Sequence, residues 1–179
     1  MKRITYFFHF LLLSLLVFLD QLTKWLARTR LPGNPKSVWN GVFTLYYHEN
    51  RGSIWGILQG KVNFLLIVSL ILFALIIYLY WKTPKKAHYQ VLLWLIVVMG
   101  AGALGNTIDR IAFGYVTDFL YFELINFPIF NVADCYITIS AFMAVALAFS
   151  KYKEDDFAFL SPGRKGEKKD DTDTERHEN

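Results

Sequence analysis

Two aspartates stand in apolar surroundings and are the strongest candidates for acid–base chemistry. Asp118 lies within the run VTDFL at 116–120, and Asp134 lies within FNVAD at 130–134. An unpaired carboxylate among apolar residues is costly, and two carboxylates that share one proton reduce that cost. Such a pair activates water for peptide hydrolysis, because one carboxylate takes the proton of the water while the other, protonated, polarises the carbonyl. The alternative is two separate carboxylates at a membrane interface, each capping a helix.

A third carboxylate, that of Asp20, has a basic partner four residues further along the chain. Asp20 and Lys24 share one face of a predicted helix, so an ion pair within the helix is expected. A charged side chain inside a bilayer costs roughly 2.5–3.5 kcal/mol on insertion scales, and the pair would offset that cost. A structural ion pair, a supporting role at an active site and a catalytic role all remain open for Asp20.

The segment around 106–110 also admits two interpretations. In one, Asp109 and Arg110 mark the end of an apolar helix at the interface. In the other, Asn106 and Arg110, four residues apart, point together into a site, where the arginine binds a carbonyl, a lipid phosphate or a carboxylate.

Other chemistries have weaker support in the sequence. The four histidines are too scattered to form a metal site, and the single cysteine, Cys135, is best explained as a small buried thiol. The run GAGALG at 100–105 matches a dinucleotide-binding pattern but lies inside an apolar stretch with no preceding strand. Its small residues instead predict close packing of neighbouring helices. No metal and no organic cofactor are expected.

The composition points to a membrane protein. Hydrophobic residues make up 54% of the 179 residues and charged residues only 19%, whereas about a quarter of a soluble domain is charged. Residues 1–150 contain only six of the 15 acidic residues, and a single cysteine excludes a disulfide scaffold. The basic residues flank apolar runs and populate the tail, so the net charge of +4 does not indicate a nucleic-acid partner.

Four apolar stretches are long enough to cross a bilayer, at about 4–27, 62–81, 91–108 and 130–149. We therefore predict an all-α membrane protein with four transmembrane helices in one domain, residues 1–152. The first stretch is too long for a cleaved signal peptide and lacks a cleavage site. The loop 28–61 contains a β-branched and aromatic run, which predicts a small extracytoplasmic β-rich subdomain after the first span. The tail 153–179 is charged and is expected to be disordered and cytoplasmic.

The distribution of lysine and arginine predicts the orientation. With four spans both termini share one side, and that side carries 12 of the basic residues against 7 on the other. The more basic side is expected to be cytoplasmic. Every acidic residue before the tail then lies at the outer face, together with the aromatic-rich loop 109–129, which we expect in the interface.

These motifs resemble the lipoprotein signal peptidase, or signal peptidase II, family of bacterial membrane aspartyl proteases. Five motifs carry the resemblance in order, namely Asp20-Gln21-x-Thr23-Lys24, Asn50-x-Gly52, Gly105-Asn106-x-x-Asp109-Arg110, Val116-x-Asp118-Phe119 and Phe130-Asn131-x-Ala133-Asp134. The resemblance implies that Asp118 and Asp134 form the catalytic dyad. It implies that the remaining motif residues support the site or bind substrate, namely Asp20, Lys24, Asn50, Gly52, Asn106, Asp109, Arg110, Asn131 and Ala133.

The resemblance also implies the substrate and the location. The substrate would be a prolipoprotein, cut on the amino side of a diacylglyceryl-modified cysteine. The enzyme would lie among the lipids of the bacterial cytoplasmic (inner) membrane, and we expect it to be a monomer. The chain departs from the family at 101–103, Ala-Gly-Ala in place of Gly-Gly-Ala, at Ser53 in place of a common alanine, and in its long tail. The rival hypothesis is a small ion-coupled transporter, which predicts carboxylates spread through the depth of the bilayer. Here all four aspartates before the tail fall on one face.

Overall fold

The computed structural model describes residues 2–52 and 62–160. Four long helices dominate it, and each is long and apolar enough to cross a membrane, with mean hydropathy between 1.6 and 2.7. In chain order the main elements are α1 (Lys2–Arg30), β1 (Lys36–Trp39), β2 (Phe43–Asn50), α2 (Val62–Lys82), α3 (Gln90–Phe113), β3 (Val116–Phe122) and α4 (Val132–Ser150). Four helices capable of spanning a membrane and a small sheet are therefore present, as predicted.

Helix α3 forms the centre of the bundle and packs against the other three helices. Of its most apolar stretch 56% is buried, against 11% or less in α1, α2 and α4, whose apolar residues face outward. Gly102 and Gly105 permit this close packing. A Cβ on Gly102 would lie 2.5 Å from the backbone oxygen of Ala133, and one on Gly105 would lie on the carboxylate of Asp20. The small residues of α3 thus allow α4 and α1 each to pack directly against α3, as predicted.

The sheet draws on two loops rather than one. Strand β2 pairs antiparallel with β1 on one side and with β3 on the other. Our expectation placed the β-structure in the loop after the first span and gave the loop 109–129 no strand. That expectation was incomplete, because residues 116–119 are all buried and so lack the alternation of apolar and polar residues by which a strand is recognised. Phe119 packs on Ala27 and Leu31 and thereby holds the sheet against α1.

The end of α3 differs from the sequence prediction. Helix α3 continues past 108 to Phe113 and ends at Gly114, which adopts a left-handed conformation with φ of 75°. The interpretation of Asp109 and Arg110 as the helix end is therefore wrong, since both lie inside the helix.

The beginning of the tail is ordered rather than disordered. Glu154–Leu160 forms a short 3-10 helix, and the hydroxyl of Tyr89 donates a hydrogen bond of 2.9 Å to the backbone oxygen of Asp156. The remainder of the predicted tail, 161–179, and the departure at Ser53 lie outside the described residues.

Candidate active site

Asp118 and Asp134 are bound to the same residue, Asn131, which precedes the first turn of α4. The side-chain amide of Asn131 donates a hydrogen bond of 2.7 Å to Oδ1 of Asp118. Its backbone N–H donates one of 3.1 Å to Oδ2 of Asp134. Asp134 is part of the helix cap, as the alternative interpretation expected, whereas Asp118 lies in strand β3 and caps no helix. The two carboxylates therefore belong to one hydrogen-bonded group.

The environment of Asp118 favours its protonated form. Only 1% of the residue is exposed, and burial, followed by the negative charge of Asp134, raises the pKa of Asp118 to about 7. Hydrogen bonds from Asn50 and Asn131 favour the ionised form and limit this rise. Near neutral pH, Asp118 therefore exchanges readily between a carboxylic acid and a carboxylate.

The Asn50-x-Gly52 motif serves the second oxygen of Asp118. Nδ2 of Asn50 donates a hydrogen bond of 2.8 Å to Oδ2 of Asp118. Oδ1 of Asn50 accepts one of 3.2 Å from the backbone N–H of Gly52. Gly52 is buried with φ of 142°, a conformation that side chains rarely adopt. The glycine thus permits the turn that holds Asn50 at the carboxylate.

Asn106 on α3 orders the opposite side of the pair. Its Nδ2 donates a hydrogen bond of 2.8 Å to Oδ1 of Asp134. Its Oδ1 accepts hydrogen bonds from Nζ of Lys24 at 2.8 Å and from Nδ2 of Asn131 at 3.1 Å. An ammonium group can only donate, so Lys24 fixes the amide oxygen of Asn106 on its own side and leaves the amide N–H groups for Asp134.

A buried charge cluster lies beneath this network. Nζ of Lys24 is 2.9 Å from Oδ2 of Asp20 and 3.5 Å from Oδ2 of Asp109, and all three side chains are fully buried. The cluster contains the Asp20–Lys24 ion pair that the four-residue spacing predicts. Oδ1 of Asp20 also accepts a hydrogen bond of 3.0 Å from the backbone N–H of Ala133, one of the first-turn N–H groups that α4 leaves unpaired. The cluster therefore attaches α1 and α3 to the start of α4.

Three residues of this region were given no role from the sequence, although Gln21 stands in one of the five motifs. Gln21 donates hydrogen bonds to Asp20, Asp109 and the backbone oxygen of Gly105. The backbone N–H of Thr117 donates one of 2.9 Å to Asp109, and Arg28 donates one of 2.8 Å to the hydroxyl of Thr117. Arg28 had a detectable signal, because it follows Lys24 by four residues on the same helix face. Gln21 and Thr117 act through contacts that no spacing indicates.

Arg110 is half-buried one turn beyond Asn106, whose backbone oxygen lies 3.4 Å from Nη1. Its positive charge acts on both Asp134 and Asp118. Within 2–52 and 62–160, no three histidine, cysteine, aspartate or glutamate residues come together in a group able to hold a metal ion. The site thus consists of two carboxylates, three amide side chains and nearby cations.

Comparison with known proteins identifies the family. The family model described as signal peptidase (SPase) II matches residues 12–150 of this chain. The chain is 41% identical over 133 residues to a lipoprotein signal peptidase of Gloeothece citriformis, covering 73% of this chain and 82% of the relative. It is 37% identical to that of Bacillus pumilus, covering 82% and 97%.

A solved structure agrees with these relatives. A bacterial membrane enzyme structure determined by the in meso method at 1.9 Å superposes with a TM-score of 0.69 at 33% identity, covering 81% of this chain and 94% of the other. The family model spans most of the chain and includes every residue of the hydrogen-bonded network around Asp118 and Asp134. The chain therefore belongs to the signal peptidase II family.

Proposed function

We propose that this peptidase is an aspartic endopeptidase that removes signal peptides from prolipoproteins. It cuts on the amino side of a cysteine that carries diacylglycerol. The observation that carries the proposal is the attachment of Asp118 and Asp134 to the one residue Asn131. Family membership supports the peptidase activity, and the names of the relatives support the substrate. The same names give no support to the transporter hypothesis.

We propose different roles for the two carboxylates. Asp118, with its raised pKa, carries the proton and donates it to the oxygen of the scissile carbonyl. We give Asp134 the role of general base, which takes a proton from the water that attacks the carbonyl carbon. The tetrahedral intermediate then collapses. The C–N bond breaks, Asp134 returns its proton to the departing nitrogen of the cysteine, and Asp118 takes back a hydroxyl proton as the new carboxyl group forms. We propose that Arg110, whose charge acts on both carboxylates, binds a carbonyl of the substrate backbone.

One copy of the chain supplies both carboxylates and all of their amide partners, so we propose that it acts as a monomer. We place the peptidase in residues 1–152 and give residues 153–179 no part in catalysis. No cofactor is required, because the two carboxylates supply both the general base and the general acid.

Reconstitution with a lipidated prolipoprotein tests the reaction. We expect Asp118→Asn and Asp134→Asn each to abolish release of the signal peptide, and the double variant to lose no more than either single variant, since the two carboxylates act as a unit. Glu123→Gln, which alters an exposed carboxylate directly after β3, is the matched control and should cleave normally. Chelators should leave the rate unchanged. Near-normal turnover by Asp118→Asn, or inhibition by a chelator, would contradict the dyad.

We also propose that the carboxylates lie at the outer face of the bacterial inner membrane and that both termini are cytoplasmic. The charge asymmetry between the loops supports this orientation. In a Cys135→Ser background, single cysteines at the exposed positions Ser37 and Lys86 provide the test. An impermeant thiol reagent added to intact cells should label position 37 and not position 86. The reverse pattern would contradict the orientation.

Lipidation of the substrate should determine where the scissile peptide bond lies relative to Asp118 and Asp134. The signal peptide already holds an unlipidated precursor in the membrane, so two acyl chains that only anchored it would lower KM without raising kcat. We propose that the glyceryl-linked cysteine sets the register of the scissile bond between Asp118 and Asp134. Lipidated and unlipidated forms of one precursor, compared at saturating concentration in the same micelles, should differ strongly in kcat. Equal rates would refute the register proposal and leave the dyad intact.

A further inference from the structure

A second site lies at the end of the helix bundle opposite the carboxylates. A cavity of about 450 Å³ opens between α1, α2 and α3, lined by apolar and aromatic side chains that include Tyr6 and Leu13 of α1 and Ile77 and Tyr80 of α2. Its volume falls in the range of about 300–1,000 Å³ that ligand pockets occupy. Helices α1 and α2 both pack on α3, and the cavity is the space that remains between α1 and α2.

His9 brings a polar group to the wall of this apolar cavity. The residue is 3% exposed, and its Nδ1 lies 2.8 Å from the hydroxyl of Tyr80 across the gap. Nε2 is buried and has no hydrogen-bond partner among the residues that the structure describes. A buried polar atom without a partner is destabilising. In the tautomer whose Nδ1 accepts from the Tyr80 hydroxyl, Nε2 carries the proton. An ester carbonyl of a bound ligand would then accept a hydrogen bond from Nε2.

The rim of the cavity is basic. Nζ of Lys85 stands 4.0 Å from the centre of the Tyr80 ring, and Lys82 follows the cavity residue Trp81 and lies 5.7 Å from the Tyr78 ring. In the described part of the chain neither lysine forms an ion pair with a carboxylate. Nζ of Lys85 also donates hydrogen bonds to the backbone oxygens of Tyr80 and Thr83. The rim therefore carries positive charge that no described carboxylate neutralises.

We propose that this cavity binds one anionic phospholipid. An acyl chain occupies the apolar gap, an ester carbonyl faces His9, and the phosphate lies between Lys82 and Lys85. Basic pockets between transmembrane helices recognise acidic lipid headgroups in the same way. The signal peptide of a substrate is a poorer occupant, because its positively charged end would meet the basic rim.

Native mass spectrometry of the purified full chain tests the proposal. Titration with phosphatidylglycerol and, separately, with phosphatidylcholine should show one retained phosphatidylglycerol with about thirtyfold tighter binding, given roughly 1 kcal/mol for each of the two lysines. The double variant Lys82→Gln/Lys85→Gln should bind the two lipids equally. Equal affinities in the unmodified protein would overturn the proposal.

Cavity-filling variants separate this site from lipid held elsewhere on the bundle. Leu13→Trp should abolish retention of both lipids, and Ile77→Trp, from the opposite wall, provides a second variant if the first does not fold. Val145→Trp places the same side chain on an exposed position of α4 and should change nothing. Glycerol phosphate, which has the charge without the chains, should not compete. Lipid retention by both filled variants, or competition by glycerol phosphate, would refute an acyl-chain site.

Discussion

Asn131 and Asp134 bind each other reciprocally across the first turn of α4. The backbone N–H of Asp134 donates a hydrogen bond of 3.1 Å to Oδ1 of Asn131, and the backbone N–H of Asn131 donates one of 3.1 Å to Oδ2 of Asp134. This capping box leaves Nδ2 of Asn131 free to bind Asp118 and Asn106. One asparagine thus begins the helix and sets the position of both carboxylates.

The two roles of Asn131 are separable by substitution. Asn131→Ser retains a hydroxyl that caps helices well but removes the amide that reaches Asp118. Asn131→Ala removes both. We expect both variants to lose at least tenfold in kcat, because Asp118 loses the amide that fixes its position, and small displacements of a reacting group are costly. Only Asn131→Ala should lose a further ~1 kcal/mol of unfolding free energy.

Peptidase rates and thermal unfolding in detergent measure these two effects. Normal turnover by Asn131→Ser would show that the amide does not position Asp118. Equal stabilities of the serine and alanine variants would show that the cap contributes nothing.

The raised pKa of Asp118 predicts an alkaline limit to activity. Because Asp118 must carry a proton, kcat/KM should fall about tenfold per pH unit above pH ~7. The same shift affects stability. The pKa rises from 3.8 to about 7 on folding, so the stabilisation is complete below pH ~4 and is lost as the pH rises to about 7. Asp118→Asn should remove this part of the pH dependence of the melting temperature. An unchanged dependence would contradict the assignment.

The hydrogen bond from Asn50 should affect the pH above which activity falls. Its hydrogen bond of 2.8 Å favours ionised Asp118, so Asn50→Ala should raise the pKa of Asp118 and move the alkaline limb to higher pH. The exposed Asn40, next to the same sheet, provides the control variant Asn40→Ala, whose limb should not move. A shift to lower pH in Asn50→Ala would show that Asn50 does not act as this donor.

The helices and the candidate carboxylates could be read from local features of the sequence. Each span is a run of about 20 apolar residues, and each aspartate stood out as a charge in apolar surroundings. The pairing of Asp20 with Lys24 followed from helical spacing alone, because both residues lie on one helix. These features depend on neighbours within a few positions along the chain.

The hydrogen bonds that define the site depend on contacts between distant segments. Asn50 reaches Asp118 only because β2 pairs with β3, and β3 itself was not predicted. Asp109 was placed at a helix end, yet it lies inside α3 and accepts the backbone N–H of Thr117. Neither contact has a sequence period, so only the packing of sheet on helix shows it.

Lys24 should be more important for stability than either carboxylate beside it. Lys24→Met leaves Asp20 and Asp109 buried without their shared cation and should cost about 3–5 kcal/mol of unfolding free energy. Asp20→Asn should cost less, because Lys24 still has Asp109 at 3.5 Å. The double variant Lys24→Met/Asp20→Asn should be more stable than the sum of the single effects predicts.

An exposed ion pair provides the comparison for this cycle. Arg51 and Glu49 lie 2.7 Å apart with 56% and 37% of their side chains exposed. Glu49→Gln should change the unfolding free energy by less than ~1 kcal/mol, since solvent screens such pairs. Equal costs for Glu49→Gln and Lys24→Met would show that burial does not determine the strength of the cluster.

The lack of a side chain at Gly105 should be essential to the active site. A Cβ at this position would lie on the carboxylate of Asp20, and that carboxylate accepts the N–H of Ala133 one residue before Asp134. Gly105→Ala should therefore displace Asp20, shift the start of α4 and reduce both stability and kcat. Gly100→Ala, on the same helix, is the control for stability, because its nearest neighbour would be Ile76 at 3.4 Å, an ordinary contact.

The two substitutions are chemically identical, and alanine favours a helix over glycine by about 1 kcal/mol at both positions. Any difference between their melting temperatures therefore reports the local contact rather than helix propensity. We expect Gly100→Ala to melt at or above the temperature of the unmodified protein and Gly105→Ala well below it. Equal melting temperatures would mean that Asp20 has room to move away from the added methyl group, and the packing of α1 on α3 would then not hold the start of α4 in place.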